Sequence, residues 1–150
     1  MVSKRLVFGL VIISFIGFWD AFYLTVLHYR GEPPVCSILE GCQKVTASRY
    51  AAIGPVPVAL LGVLYYLAVF LLTLGHLLAS ETSSTKFWVS WFRSRNLTTL
   101  AAWLTVFGFL ASLWFVYLQL FVLKALCLYC MISAASSAAL FVLGLLISRR

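Results

Sequence analysis

The sequence is short of charge. Its 150 residues include 11 Lys and Arg and only 4 Asp and Glu, 10% charged in all, where a soluble domain carries about 25%. So few charges cannot cover a water-soluble globule, and disorder requires the opposite balance of high charge and low hydrophobicity. Internal repeats and low-complexity tracts are also absent. The length permits one domain, 1–150, and leaves no room for a separate soluble one. What is abundant is apolar, at 63%. These counts leave an all-α membrane protein built from several spans. The net charge of +7 is therefore read through the sorting of Lys and Arg among loops, and not as a nucleic-acid surface.

A spanning helix needs about 20 mainly apolar residues. Four segments qualify, at about 6–28, 56–78, 97–120 and 127–147, giving a four-helix transmembrane bundle in contact with membrane lipid. The first follows Lys4 and Arg5, but its apolar run exceeds a signal-peptide core and ends in His28-Tyr29-Arg30, not in a small-residue cleavage site. The longest connection, 29–55, begins irregularly at Gly31, Pro33 and Pro34. Its segment from Gln43 to Tyr50 is expected to form a short helix that caps the bundle. Gly54-Pro55 stops that helix, and Pro57 suits the first turn of the next span. The 79–96 connection is polar, with Trp88 and Trp91 as interface anchors. The small-residue run 133–139 favours close helix packing.

Four spans place both termini and the 79–96 connection on one side. That side carries Lys4, Arg5, Lys86, Arg93, Arg95, Arg149 and Arg150 against Glu81. The other carries Arg30, Lys44, Arg49 and Lys124, with Glu32 and Glu40. Basic loops stay cytoplasmic. The expectation is a multi-pass cell-membrane protein with cytoplasmic termini and the 29–55 loop outside.

All four cysteines then share the extracytoplasmic face, where disulfides persist. Cys36 and Cys42 lie in the outer loop, and Cys127 and Cys130 form Cys-Leu-Tyr-Cys at the outer end of the fourth span. A helix N-terminus stabilises an anion, so a thiolate there has a lowered pKa and exchanges readily with disulfides. Lys124 can add to this if the turn brings its ammonium close. One thiol of the pair is expected to face water and the other an apolar pocket, as two-electron transfer to a lipid-soluble acceptor requires. The alternatives are two static disulfides or a structural zinc site of four thiolates. A disulfide within Cys-x-x-Cys closes too small a loop to stabilise much, and structural zinc usually ties together a small soluble module. Redox chemistry accounts better for the cysteines.

The chain resembles the vitamin K epoxide reductase family, in particular its bacterial and archaeal members. The resemblance is carried by Tyr23-Leu24-Thr25 with His28, by Cys36 and Cys42, and by Lys44-Val45-Thr46-Ala47-Ser48-Arg49-Tyr50. It continues through Pro57-Val58-Ala59-Leu60-Leu61-Gly62 and Cys127-Leu128-Tyr129-Cys130, and covers almost the whole chain. It implies a four-helix bundle around a quinone. By this resemblance Cys36 meets a thioredoxin-fold protein, Cys42 passes electrons to Cys127, and Cys130 faces the quinone. Ser48 would hydrogen-bond near the quinone or Cys130. Many prokaryotic members carry a fused thioredoxin-like domain; this sequence ends at Arg150 without one, so the expected partner is a separate, secreted DsbA-like protein. Animal members hold vitamin K with an Asn and a Tyr at positions corresponding here to Val58 and Ala134, neither of which can hydrogen-bond a carbonyl. That favours a respiratory quinone, menaquinone or ubiquinone, over vitamin K or its epoxide.

A dithiol and a quinone give a disulfide and a hydroquinone, with no need for metal or flavin. A disulfide needs its Cα atoms within about 7 Å, so transfer from Cys42 to Cys127 requires the outer loop to fold onto the fourth span and to take at least two arrangements. Asp20 is costly to bury in a span, so it is protonated, paired or facing a cavity. It shares a helix face with Leu24 and His28. A helix-packing hydrogen bond is the first expectation for Asp20, a proton path or quinone contact the second. His28 and His76 read as interface residues, and Gln119 as packing between helices. Tyr65, Tyr66, Trp103 and Trp114 are candidates for a quinone site, with most of them expected in the core or facing lipid.

Overall fold

The computed structural model describes residues 4–36, 41–81 and 95–148. Glu40, Lys86, Trp88, Trp91, Arg93, Arg149 and Arg150, which enter the orientation and anchoring expectations, lie outside them. Four helices are long and apolar enough to cross a membrane. They are α1 (Lys4–Arg30), α3 (Val58–Glu81), α4 (Arg95–Tyr117) and α5 (Leu128–Ser148), with α2 (Cys42–Thr46) a short helix in the first connection.

The ends differ from the sequence expectation in ways that shape the site. The second span starts at Val58, because Ala52–Ile53 (β1) and Val56–Pro57 (β2) form an antiparallel hairpin pairing Ala52 with Pro57 and Ile53 with Val56. Gly54, at φ 63°, supplies the turn conformation that a side chain resists. The Val58 N–H donates to the Ala51 carbonyl at 2.9 Å and ties the hairpin to the start of α3. The expected helix from Gln43 to Tyr50 is shorter and begins one residue earlier, as α2. Beyond it the chain turns, with Ser48 N–H donating to Val45 O and Ala51 N–H to Ser48 O. The third span runs past the expected end at 120, because Leu118–Leu123 form a π-helix that continues α4. A wider π turn advances the chain less per residue and shifts the helix face, and such turns concentrate at functional sites.

The helices form a closed ring of neighbours, α1 on α3 and α5, and α4 on α3 and α5. The central core joins Val7, Leu10 and Ala21 of α1 to Val63, Tyr66 and Val69 of α3 and to Leu140 and Ile147 of α5. Apolar chains gain little from leaving lipid for protein, so close packing and internal hydrogen bonds hold such a bundle. Gly17 leaves space for the Tyr66 ring. The Tyr66 hydroxyl donates to the Ser133 carbonyl at 2.6 Å and joins α3 to α5. Ser136 and Ser137, from the small-residue run, are buried. Large apolar side chains face outward, Phe8, Phe15, Trp19, Trp103 and Trp114 among them. That inversion of a soluble protein suits a lipid surface.

Candidate functional site: four sulfurs above a cavity

At one end of the bundle the outer loop lies on the start of α5. Cys36 and Cys42 are joined by a disulfide, with Cα atoms 6.2 Å apart. Cys127 and Cys130 are free thiols. Cys42, Val45 and Cys127 form one buried cluster, with Cys36, Leu123, Ala125, Leu128, Tyr129 and Cys130 packed against it. The backbone N–H of Leu128 donates to the Cys42 sulfur at 3.4 Å, and the Tyr129 hydroxyl donates to the Val35 carbonyl at 3.2 Å. Both ends of the loop disulfide are therefore fixed to the first turn of α5. Cys36 is partly accessible and Cys42 almost fully buried.

Cys127 stands at the N-cap of α5, its carbonyl accepting the Met131 N–H at 3.0 Å. The expectation that one thiol of the pair faces water fails here. Cys127 has no exposed surface, because the loop sulfur and Val45 cover it. The helix terminus acts on it as expected. The Cys130 thiol donates to its sulfur, the backbone N–H groups of Cys130 and Tyr129 add to this, and together they outweigh burial and hold Cys127 down at about 7. The Cys130 N–H lies 3.4 Å from that sulfur. Lys124 takes a left-handed conformation, φ 49° and ψ 42°, at the end of the π-helix. Its side chain is exposed, and the partners that hold the Cys127 thiolate are Cys130 and the backbone.

Cys130 opens onto a cavity of about 730 Å³ lined by residues of α1, α3, α4, α5 and the outer loop. Sites for small molecules commonly measure about 300–1,000 Å³. Asp20, Leu24 and His28 line it along one face of α1, and Val58, Tyr65, Tyr66 and Ala134 also reach it. Asp20 does not make the expected packing bond through its buried oxygen: Oδ2 has no hydrogen-bond partner, nor has the Tyr65 hydroxyl. His28 is exposed and meets Tyr29 edge-on at 6.0 Å. Ser48 lines the cavity too, but its hydroxyl donates to the Val45 carbonyl at 2.7 Å, within its own turn. Trp103 and Trp114 face outward, as most of the aromatic candidates were expected to do.

Gln119, read from the sequence as packing between helices, has a bond to the Cys127 turn that the sequence reading did not anticipate. It is 3% exposed. Its Oε1 accepts the Cys127 N–H at 3.1 Å, and its own carbonyl accepts the Ala125 N–H at 3.1 Å. One residue thus fixes the whole turn that delivers Cys127. A single amide at the apolar end of a span, eight residues before the first cysteine of the pair, was the available signal.

A zinc site of four thiolates needs all four sulfurs free, and here two are joined to each other. A quinone is chemically compatible with the cavity. Its ring suits apolar walls, and Asp20 and Tyr65 offer polar atoms that lack protein partners. The model of the vitamin K epoxide reductase family matches residues 9–145. In a comparison with curated proteins, none matches the chain.

Proposed function

Because the chain belongs to the vitamin K epoxide reductase family, we propose that this membrane oxidoreductase takes two electrons from the dithiol of a secreted, DsbA-like thioredoxin-fold protein and delivers them to a quinone. The observation that carries the reading is the stacking of the two sulfur pairs. The oxidised Cys36–Cys42 pair lies on the reduced Cys127, and Cys130 opens to the cavity.

This arrangement corresponds to the state just after electrons have left the loop. The partner dithiol reduces the loop disulfide through Cys36, the more accessible sulfur. The Cys42 thiolate attacks the Cys127–Cys130 disulfide at Cys127, and Cys130 leaves as a thiolate. Cys36 then attacks Cys42, restoring the loop disulfide and releasing Cys127 as a thiolate. A low thiol pKa makes a better leaving group, and the site holds Cys127 in that condition. The two thiols then give two electrons and two protons to the quinone, and a disulfide and a hydroquinone result. The quinone supplies the two-electron sink when bound. The loop sulfurs exclude water from Cys127, and α5 orients Cys130 toward the acceptor.

Val58 and Ala134 line the cavity without a donor side chain, which supports a respiratory quinone, menaquinone or ubiquinone, over vitamin K epoxide. The charge asymmetry of the loops supports cytoplasmic termini, with the four cysteines on the extracytoplasmic face. The segment around α2, which contributes Gln43, Val45 and Thr46 to the cavity wall, would cap its mouth.

The test is turnover in detergent with a reduced DsbA-like protein and either quinone, followed by quinone absorbance. Wild type should turn over and Cys130→Ala should not. Absence of wild-type turnover, or normal turnover by the variant, overturns the reading.

A further inference from the structure

The amide of Gln119 has two ends, and the Cys127 turn uses only one. An N–H can be met only by an acceptor, so the bond from Cys127 assigns Oε1 to that side and turns Nε2 the other way. Among the described residues, no acceptor meets Nε2. Gln119 also lines the cavity, with Cys130. Its amide therefore keeps N–H donors that no described protein acceptor takes, on a residue that is 3% exposed and lines the cavity.

We infer that Gln119 is a quinone-binding residue that works from both ends of its amide: Oε1 fixes the Cys127 backbone while Nε2 donates a hydrogen bond to a quinone carbonyl in the cavity. The inference rests on the quinone reading above and deepens it. The Tyr65 hydroxyl is a second cavity donor without a protein partner, whereas three other hydroxyls that line the cavity are engaged. Ser48 donates to Val45, Ser112 to Gly108 at 2.9 Å, and Tyr66 to Ser133. Val58 and Ala134 offer no donor at all. The amide also links two geometries. A shift of the Gln119 side chain moves the Cys127 turn and the donor together, so ring and dithiol keep their register.

Two substitutions separate the ends. Gln119→Glu, in its ionised form, can still accept the Cys127 N–H but has no N–H to donate. Gln119→Leu has neither. Each full-length variant is oxidised so that no electrons flow, and menaquinone or ubiquinone binding is titrated by tryptophan fluorescence at pH 9. Loss of one hydrogen bond should weaken quinone binding roughly 10-fold in both variants. After reduction of the Cys127–Cys130 pair, the alkylation rate of Cys127 should stay within about twofold of wild type in the Glu variant and change in the Leu variant, which loses the backbone anchor. Wild-type quinone affinity in either variant overturns the inference. If wild type itself binds no quinone, the reading above fails instead.

Discussion

The backbone N–H of Leu128 points at the sulfur of Cys42 from 3.4 Å. Leu128 is the first residue of α5, so this N–H is one of the donors a helix leaves unpaired at its start. A donor aimed at that sulfur stabilises negative charge on it. Cys42 is thus the loop sulfur seated beside Cys127, while Cys36 keeps some accessible surface.

That pairing predicts which sulfurs exchange. In a Cys36→Ser, Cys130→Ser variant only Cys42 and Cys127 remain, and mild oxidation should join them quantitatively. Non-reducing peptide mapping detects the link. If Cys42 and Cys127 stay free under oxidising conditions, the relay order is wrong.

The dock between loop and helix depends on one glycine. Gly41 has an ordinary φ of −79°, so its backbone conformation does not call for glycine. Space does: a Cβ there would stand 2.6 Å from the Leu126 backbone nitrogen, and backbone cannot move aside as a flexible side chain can. Gly41→Ala should lift Cys42 off the turn. With Cys36 and Cys130 replaced by Ser, it should lower the rate of Cys42–Cys127 linkage by at least about tenfold, a change of roughly 1.4 kcal/mol or more in the barrier. Quinone binding should be preserved. A wild-type linkage rate would show that the contact is dispensable.

Cys127 gives a pH signature. Its thiol is drawn down to about 7, first by the Cys130 thiol and then by backbone N–H groups, against the effect of burial. A donor to the thiolate stabilises the charged form, so removing the donor raises the pKa. With the loop disulfide intact and Cys127 reduced, ultraviolet absorbance of the thiolate should rise with a midpoint near pH 7. In Cys130→Ala the midpoint should move up toward the ordinary thiol range. An unmoved midpoint would mean that the helix terminus alone sets the acidity.

The four spans were legible because each is an uninterrupted apolar run of membrane length. The cysteine pairs were legible because their spacing and their places at span ends carry the family pattern. The hairpin before α3 was not, since Ala52–Ile53 and Val56–Pro57 are too short for an alternating pattern to register. Nor was the π-helix, whose wider turn follows from how Leu118–Leu123 fit between α4 and the Cys127 turn. Gln119 shows the limit most clearly. As a letter it is one polar residue in an apolar span, and its role depends on a chain reversal that returns the Cys127 N–H to its side chain.

The sequence by itself determined the solvent of this protein, the number of helices long and apolar enough to cross a membrane and the chemical identity of the groups proposed to react, because these follow from composition, run length and residue type. Only the tertiary structure decided that Cys127 is buried, that Cys42 is the loop sulfur seated at the start of α5, that Ser48 bonds its own turn and that Asp20 faces a cavity without a partner for Oδ2. Those outcomes depend on which backbone groups meet across the bundle. Such distances arise from packing four helices and a loop at once, and no single segment encodes them.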